Sequence, residues 1–414
     1  MKTEMKDFKT LKLICERNTK ISSRVVDGFL LYYAAERDHL EFQMNRRFEV
    51  YKHITNKFPE ELTNRLKAQY IAHRIFKEDG LITDYLRHTA LLNLDKKERN
   101  WLEIQAKQAW KFSFSQIKDC PAENFYIMKD AFSEEEYLLY SPGVTKTLED
   151  QSIILWFNLL SFNGFCWQSY GPIGAYKSFE PEDVFFFGGE VNIEIVSKEE
   201  FLDDLDCNPV PYMMLLSGAY SPLIYNKEDQ LVHVWAEYYP ESFNIKEISG
   251  MFKTEYKKGV CRLSLNNWSE SPHWAHVYFD EEKEILRFTS LTERGYRAFL
   301  KEINKFGYNF PEKIFIRVNL SMMIIASDIL KREIELNEYE GLFSEETSPG
   351  EKENLAKFNT LLRLVLPDIN SGRKPDIEIL AKKAGVDVDT AKDLIEQIIG
   401  RLNKMDSQKK KKFR

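Results

Sequence analysis

Cysteine is scarce in this chain and never clustered. Cys15, Cys120, Cys166, Cys207 and Cys261 are odd in number, and no two form a Cys-x-x-Cys pair. That pattern excludes a zinc ribbon and a disulfide framework, and it fits the reduced thiols of the cytosol. Long apolar runs are missing too, since none approaches the roughly 20 residues of a membrane span. The opening residues, MKTEMKDFKTLKLI, lack the apolar core and small-residue cleavage site of a signal peptide. There is no G-x-x-x-x-G-K-[ST] phosphate loop, no G-x-G-x-x-G fingerprint and no G-x-S-x-G elbow. The expectation is a cytoplasmic protein without a membrane partner, and with no catalytic residue, cofactor or metal ligand legible.

What is present describes a globular chain of several parts. With 414 residues, 43% hydrophobic and 30% charged, it is long enough for roughly two to four domains. Its 29 Phe and 20 Tyr are many for this length. The net charge of −7 hides an asymmetry. Residues 1–120 carry 23 Lys and Arg against 17 Asp and Glu, residues 371–414 carry 12 against 7, and residues 121–370 carry 23 against 41. Basic ends around an acidic centre fit either a polyanion contact or mutual docking, and they equally fit solvated surfaces with no partner.

Periodicity divides the chain into an α+β, multidomain arrangement. Residues 1–118 read as a helical bundle, with Val26, Phe29, Leu30, Tyr33 and Leu40 on one face of a long first helix. A second helix starts at Pro59 and ends before Gly80. A third, over 96–111, carries Trp101, Ile104, Ala106 and Trp110. Residues 119–200 read as a small antiparallel β-barrel or sandwich of six short strands, NFYIMKDAF, EYLLYSPG, SIILWFNLLSFNG, FCWQSYGPIGAY, DVFFFGG and VNIEIV. FLDDLDCNPVP marks a boundary, and residues 201–342 form an α+β domain. A linker precedes a helical domain at 351–405, and 406–414 is a basic tail.

Residues 376–399, DIEILAKKAGVDVDTAKDLIEQII, are spaced as a helix-turn-helix. Leu380, Ala384, Val386, Ala391 and Leu394 recur at the burying positions, Ala381 is small at the crossing, and Gly385 permits the turn. In the usual docking geometry, the residues facing a DNA groove are Asp387, Asp389, Lys392, Asp393 and Glu396. Four acids there oppose phosphate, so a helical protein-interaction module, with the A-x-x-x-G rhythm of ubiquitin-associated domains, ranks above a DNA reader. Asp387 or Asp389 suits the N-cap of the second helix. Partner contacts fall to Lys382, Lys383 and Lys392, and to Lys409, Lys410, Lys411 and Lys412 in the tail.

Five further patterns invite chemistry and resist it. Asp204-Leu205-Asp206-Cys207-Asn208 starts like a calcium loop, but Pro209 replaces the turn glycine and Leu215 falls where a carboxylate is needed. His273 and His276 are three apart on an expected strand, so they point to opposite faces. Ser115 and Lys118 match S-x-x-K without its companion motifs. His39, His53, His73 and His88 lie on polar helices and read as surface residues. Trp156, Trp167, Trp235, Trp268 and Trp274, with Phe185, Phe186 and Phe187, read mainly as core; lining a groove for a basic peptide is the lesser alternative.

The segment WKFSFSQIKDCPAENFYIMKDAFSEEEYLLYSPG, followed by FNGFCWQSYGPIGAY, resembles a module of uncharacterised bacterial proteins, some of which end in a SEC-C zinc motif. The shared elements are a helix ending in an aromatic-serine run, an aspartate before a turn, and a glycine-containing strand. The zinc cysteines are absent here, so the resemblance implies a bacterial cytosolic protein and no zinc role. The leading functional expectation is a non-enzymatic binding or adaptor protein that contacts a protein partner through its end domains. Second is a nucleic-acid-associated regulator making sequence-independent backbone contacts, and third an enzyme with a noncontiguous site in the central β region. Nothing in the sequence sets the oligomeric state.

Overall fold

Asp7 starts the first helix, its carboxylate accepting the Lys9 N–H at 3.1 Å and satisfying a donor that a helix start leaves free. Helix α1 (Phe8–Ser22) runs into a π-helical segment, Ser23–Leu30, and then into α2 (Leu31–Arg37). The long first helix expected from periodicity is therefore interrupted twice. The second break is at His39, whose left-handed φ of 53° ends one helix and starts α3 (Leu40–Val50). Helices α4 (Glu60–Phe76) and α5 (Lys96–Lys107) follow, the latter with an Asp95/Glu98 capping box. The computed structural model describes residues 7–396 apart from 92–93, 149–152, 227, 241–242, 249, 267–274, 335–336, 344–356, 359, 363, 366–367, 369–372 and 394. Residues 1–336 and 337–414 form two compact units.

The barrel begins earlier than the sequence reading placed it. Strand β1 spans Lys111–Ala122, so the boundary expected after residue 118 falls inside a strand. The signal was the alternation in KFSFS. Phe112 and Phe114 point outward to the helices, while Ser113 and Ser115 point inward, the period of a strand rather than of a helix. With β2 (Phe125–Asp130), β3 (Glu136–Tyr140), β4 (Leu155–Phe162) and β5 (Trp167–Tyr176), it closes a barrel in the order β1-β2-β3-β5-β4. Neighbours are antiparallel except β3 and β5, which pair parallel. Helix α6 (Pro142–Leu148) joins β3 to β4. This order, with a helix at that place, is the topology of the oligonucleotide- and oligosaccharide-binding barrel.

Two of the six expected barrel strands are not strands. DVFFFGG lies in helix α7 (Pro181–Val191), and VNIEIV leads out of it to α8 (Lys198–Cys207). Glu180-Pro181-Glu182-Asp183 explains the first, since proline at the start of a helix and acids in its first turn are helix-initiating. FLDDLDCNPVP is likewise mostly helical, Asn208 and Pro209 separating α8 from a short helix at Val210–Met214.

Aromatic packing fuses bundle and barrel into one core. Phe76 of α4 stacks on Trp110 at 4.3 Å, Phe112 on Phe157 at 5.1 Å, and Phe114 on Phe157 at 4.5 Å. Phe132 and Phe201 extend the same cluster to α8. The inside of the barrel is a separate cluster, built around Tyr126, Met128, Tyr137, Leu139, Trp156, Leu160 and Trp167.

The remainder of this unit is a six-stranded antiparallel sheet. Its order is β13-β8-β12-β11-β10-β9, with β8 (Val232–Tyr238), β9 (Phe252–Lys257), β10 (Val260–Leu265), β11 (His276–Asp280), β12 (Ile285–Ser290) and β13 (Ile316–Asn319). Before it, β6 (Tyr225–Asn226) and β7 (Asp229–Gln230) form a minimal ladder. Helix α9 (Glu293–Asn304) covers the sheet with Tyr296, Phe299, Leu300 and Ile303. Helix α10 (Leu320–Leu330) joins the bundle-barrel core through Met322, Ala326 and Ile329. No described helix is long and apolar enough to cross a membrane.

In the second unit, helix α11 (Ile377–Ala384) is capped by Asp376 and ends at Gly385, which has a left-handed φ of 68°. A further helix starts at 388, and Leu361, Val365, Ala381, Ala384, Ala391 and Ile395 form the core. Leu394 and the basic tail lie outside the described residues.

Gly171 lies on β5, beside the register shift in the β4–β5 ladder, with φ of +75°. A Cβ there would meet the Gln69 side chain at 3.0 to 3.1 Å. Gln69 is itself fixed, its Nε2 donating to the carbonyls of Tyr170 at 2.7 Å and Pro172 at 3.0 Å. Gly171→Ala is therefore expected to lower stability by about 1–3 kcal/mol. Urea unfolding would read that as a lower midpoint at unchanged m-value, and an unchanged midpoint would contradict it.

Candidate cleft between the first helices and the barrel

A cleft of about 410 Å³ opens between the N-terminal helices and strands β4 and β5. Asn18, Thr19 and Ser22 reach it from α1, Ser23 and Asp27 from the π-helical segment, and Leu31 from α2. These positions follow one another about a turn apart. In an unbroken α-helix such a stripe would drift around the axis. The wider π turn, in which the Leu31 N–H bonds back to the Val26 carbonyl, offsets that drift and holds Asp27 over the cleft. Arg65 and Ala68 enter from α4, and Trp101 from α5. The barrel supplies Phe162, Asn163, Gln168, Ser169, Tyr170 and Gly171.

Part of this lining is committed to holding the wall. Gln168 Nε2 donates to the Cys15 carbonyl at 3.1 Å and to Thr19 at 3.2 Å, and its Oε1 accepts from Asn163 Nδ2 at 2.8 Å. Asn163 Nδ2 also lies 3.3 and 3.4 Å from the sulfurs of Cys15 and Cys166, which are 3.5 Å apart. The bond to Cys166 and burial both push the Cys15 thiol well up, so it stays protonated and inert at neutral pH. Tyr170 donates to Asp27 Oδ1 at 2.5 Å. Burial and the Asp27 charge push the Tyr170 phenol up, so it remains a neutral donor.

Other lining groups are uncommitted. Asn18 is 8% exposed, yet among the described residues its amide has no hydrogen-bond partner. Among the described residues the Ser22 and Ser23 hydroxyls have none either, and the Arg65 guanidinium has neither a hydrogen bond nor an ion pair. Asp27 has the Tyr170 bond and no cation. Leu31, Trp101 and Phe162 give the same cleft an apolar side. A concave site with an apolar wall and a few converging polar groups is the usual form of a small-molecule site.

The residues singled out from sequence lie elsewhere. Ser115 is buried in the barrel and bonded to Tyr137 Oη at 2.8 Å, whereas Lys118 is exposed further along β1, so they form no nucleophile–base pair. Asp130 accepts from Ser113 at 2.6 Å and from the Phe132 and Ser133 N–H groups, which makes it a turn-forming residue. The acids of the calcium-like run are helical and engaged. Asp204 accepts from Tyr212 at 2.7 Å, and Asp206 bridges His73 and Lys77. Among the described residues no group of His, Cys, Asp and Glu is placed to hold a metal. His276 Nδ1 lies 2.9 Å from Ser264 Oγ, while His273 lies outside the described residues. Trp156 and Trp167 pack inside the barrel and Phe187 in the bundle core, so these three line no groove. Phe185 and Phe186 pack partly buried against that core. Trp235 sits on β8 beside Arg287, and Trp268 and Trp274 lie outside the described residues.

In the C-terminal unit, Lys382 and Lys383 are exposed on α11. Lys392 lies 3.9 Å from Glu378, so its charge is partly answered within the unit. Asp387 caps the second helix, accepting the Thr390 N–H at 3.1 Å. Lys409 to Lys412 lie outside the described residues.

In barrels of this topology the strand 2–3 face and the adjoining loops carry nucleic acid or sugar. Here α1 lies on that face. Phe8, Leu11 and Cys15 pack with Phe125, Ile127, Leu138, Tyr140 and Cys166, Phe8 and Phe125 with centroids 5.0 Å apart. In this chain α1 covers that face, and the open cleft lies along the other flank of α1. No family model matches this chain, and neither a curated protein nor a solved structure does.

One histidine read as a surface residue is fully buried. His73 of α4 packs on Phe112 at 4.8 Å and places Nε2 2.9 Å from Asp206 Oδ1. Burial lowers the His73 pKa below its ordinary value of 6.5 despite the carboxylate. Burial tends to raise Asp206, but His73 and Lys77 outweigh it and hold it below 3.8. A base depressed in the fold contributes stability above its unfolded pKa and loses it as pH falls, because the unfolded chain takes a proton that the fold refuses. Urea midpoints are therefore expected to fall from pH 7.5 to 5.5 more steeply in the native protein than in His73→Gln, which keeps a donor for Asp206. Equal pH slopes would contradict this role.

Proposed function

We propose that this chain is a binding protein with no reaction of its own, and that the cleft beside the π-helical segment holds a small polar ligand. The observation that carries the reading is Asn18, a largely buried residue at the wall of an open cleft whose amide has no hydrogen-bond partner among the described residues. An amide that faces a cleft without a protein partner is free to bond the polar atoms of a ligand. Among the described lining residues there is no histidine, lysine or cysteine, so the cleft offers groups that hold a ligand and few that move a proton.

The C-terminal unit is, in the same proposal, a protein-docking module. Asp387, Asp389, Asp393 and Glu396 surround Lys392 on its second helix, and Glu378 offsets that lysine. Such a face repels phosphate. The covered barrel face adds support, since α1 occupies the place where this topology otherwise takes nucleic acid. A cytoplasmic location and kinship with bacterial bundle-and-barrel proteins belong to the proposal.

Thermal unfolding against small polar compounds grouped by charge tests the cleft. At a hundredfold excess over its Kd a ligand adds about 2.7 kcal/mol to stability. At least one group is expected to raise the Tm of the native protein and not that of Ala68→Trp, which fills the cleft. Ser22→Phe serves if the tryptophan variant does not fold. No compound with a cleft-dependent shift would sink the reading. For the C-terminal unit, the full chain is expected to show no binding to duplex DNA above background even at low salt; a steep salt-dependent affinity would favour the regulator instead.

A further inference from the structure

Asp27 and Arg65 line the same cleft with opposite charges, and they do not pair. No ion pair joins them, and among the described residues Asp27 has no cation and Arg65 no hydrogen-bond or ion-pair partner. Some opposite charges in the helical region do pair, as in Arg24 with Asp95 and Glu98, Lys57 with Asp328, and Lys77 with Asp206. The two are held apart by their positions on the π-helical segment and α4. The bond from Tyr170 ties the Asp27 carboxylate to the barrel side.

We infer that the ligand of this cleft is a small zwitterion with an apolar side chain, an α-amino acid or a dipeptide. Its carboxylate lies against Arg65 and its ammonium against Asp27. The guanidinium fork matches a carboxylate in two parallel hydrogen bonds, which a neutral or cationic ligand cannot use. Asp27 has lone pairs beyond the one Tyr170 takes, and an ammonium brings three donors to them. Asn18 then bonds a carboxylate oxygen or a peptide carbonyl. Leu31, Phe162 and Trp101 cover the side chain. A purely anionic ligand leaves Asp27 repelling it, and a purely cationic one leaves Arg65 doing the same. The inference rests on the cleft being the ligand site and adds the chemistry of what enters it.

The test uses the full chain with L-leucine and glycyl-L-leucine, and with two blocked relatives. Leucinamide keeps the ammonium and loses the carboxylate, and N-acetyl-leucine does the reverse. Calorimetric titration is expected to show at least one zwitterion binding, with each blocked compound weaker by about tenfold or more, a loss of some 1.4 kcal/mol. The variants must cross over. Arg65→Gln removes the preference for leucine over leucinamide, and Asp27→Asn removes the preference over N-acetyl-leucine. Both side chains are exposed, so both variants should fold, with native-like Tm as the control. If the zwitterions bind no better than the blocked compounds, or the variants do not cross over, the inference fails. If a different charge group gives the shift that Ala68→Trp abolishes, the inference fails while the ligand-binding reading stands. If nothing gives that shift, the binding reading itself fails.

Discussion

Phe76 stacks on Trp110 at 4.3 Å, and its carbonyl accepts the Trp110 N–H at 2.9 Å, so the end of α4 is fixed to the start of the barrel. Trp110 Nε1 donates to Gln105 at 2.7 Å, and Gln105 in turn donates to the Phe162 carbonyl at 2.7 Å, which ties α5 to the end of β4. The outward phenylalanines of β1 and β4 continue the seam. Each buried ring contributes about 1.5–3 kcal/mol through removal from water, with something added by offset stacking. The bundle and barrel are separate in topology and joined in their core for this reason. The cleft lies at the edge of the seam, where α4, α5 and β5 meet the first helices.

Along α1 the two flanks have different uses. One flank carries Phe8, Leu11 and Cys15 onto the barrel face, sealing surface that a barrel of this topology leaves open. The other carries Asn18, Ser22 and, through the π turn, Asp27 to the cleft. A regular helix would have brought different residues around. π turns interrupt helices at a cost in hydrogen-bond geometry and recur at functional sites. Here the interruption sets which side chains face the cleft.

Much of the architecture was legible in the sequence. The helices over 60–76 and 96–107 and four of the five barrel strands follow from periodicity and capping residues. KFSFS escaped because Trp110 and the preceding helical pattern masked a strand whose serines face inward. DVFFFGG escaped because its aromatic run outweighed the helix-starting Pro181 and Asp183. The site was barely legible. Asn18, Asp27, Arg65 and Gln168 come from four elements, and none carries a motif, so only the fold brings them together. The fate of His73 depended on the same long-range packing, with Phe112 and Asp206 meeting it from 39 and 133 residues away.

The central claim is that a ligand sits between the π-helical segment, α4 and β5. A crystal structure of the full chain soaked in glycyl-L-leucine tests it most directly. The account predicts density in the cleft with one end on the Arg65 guanidinium, the other on the Asp27 carboxylate, and the Asn18 amide bonded to it. An empty cleft at saturating ligand, or density on another face of the molecule, would contradict it.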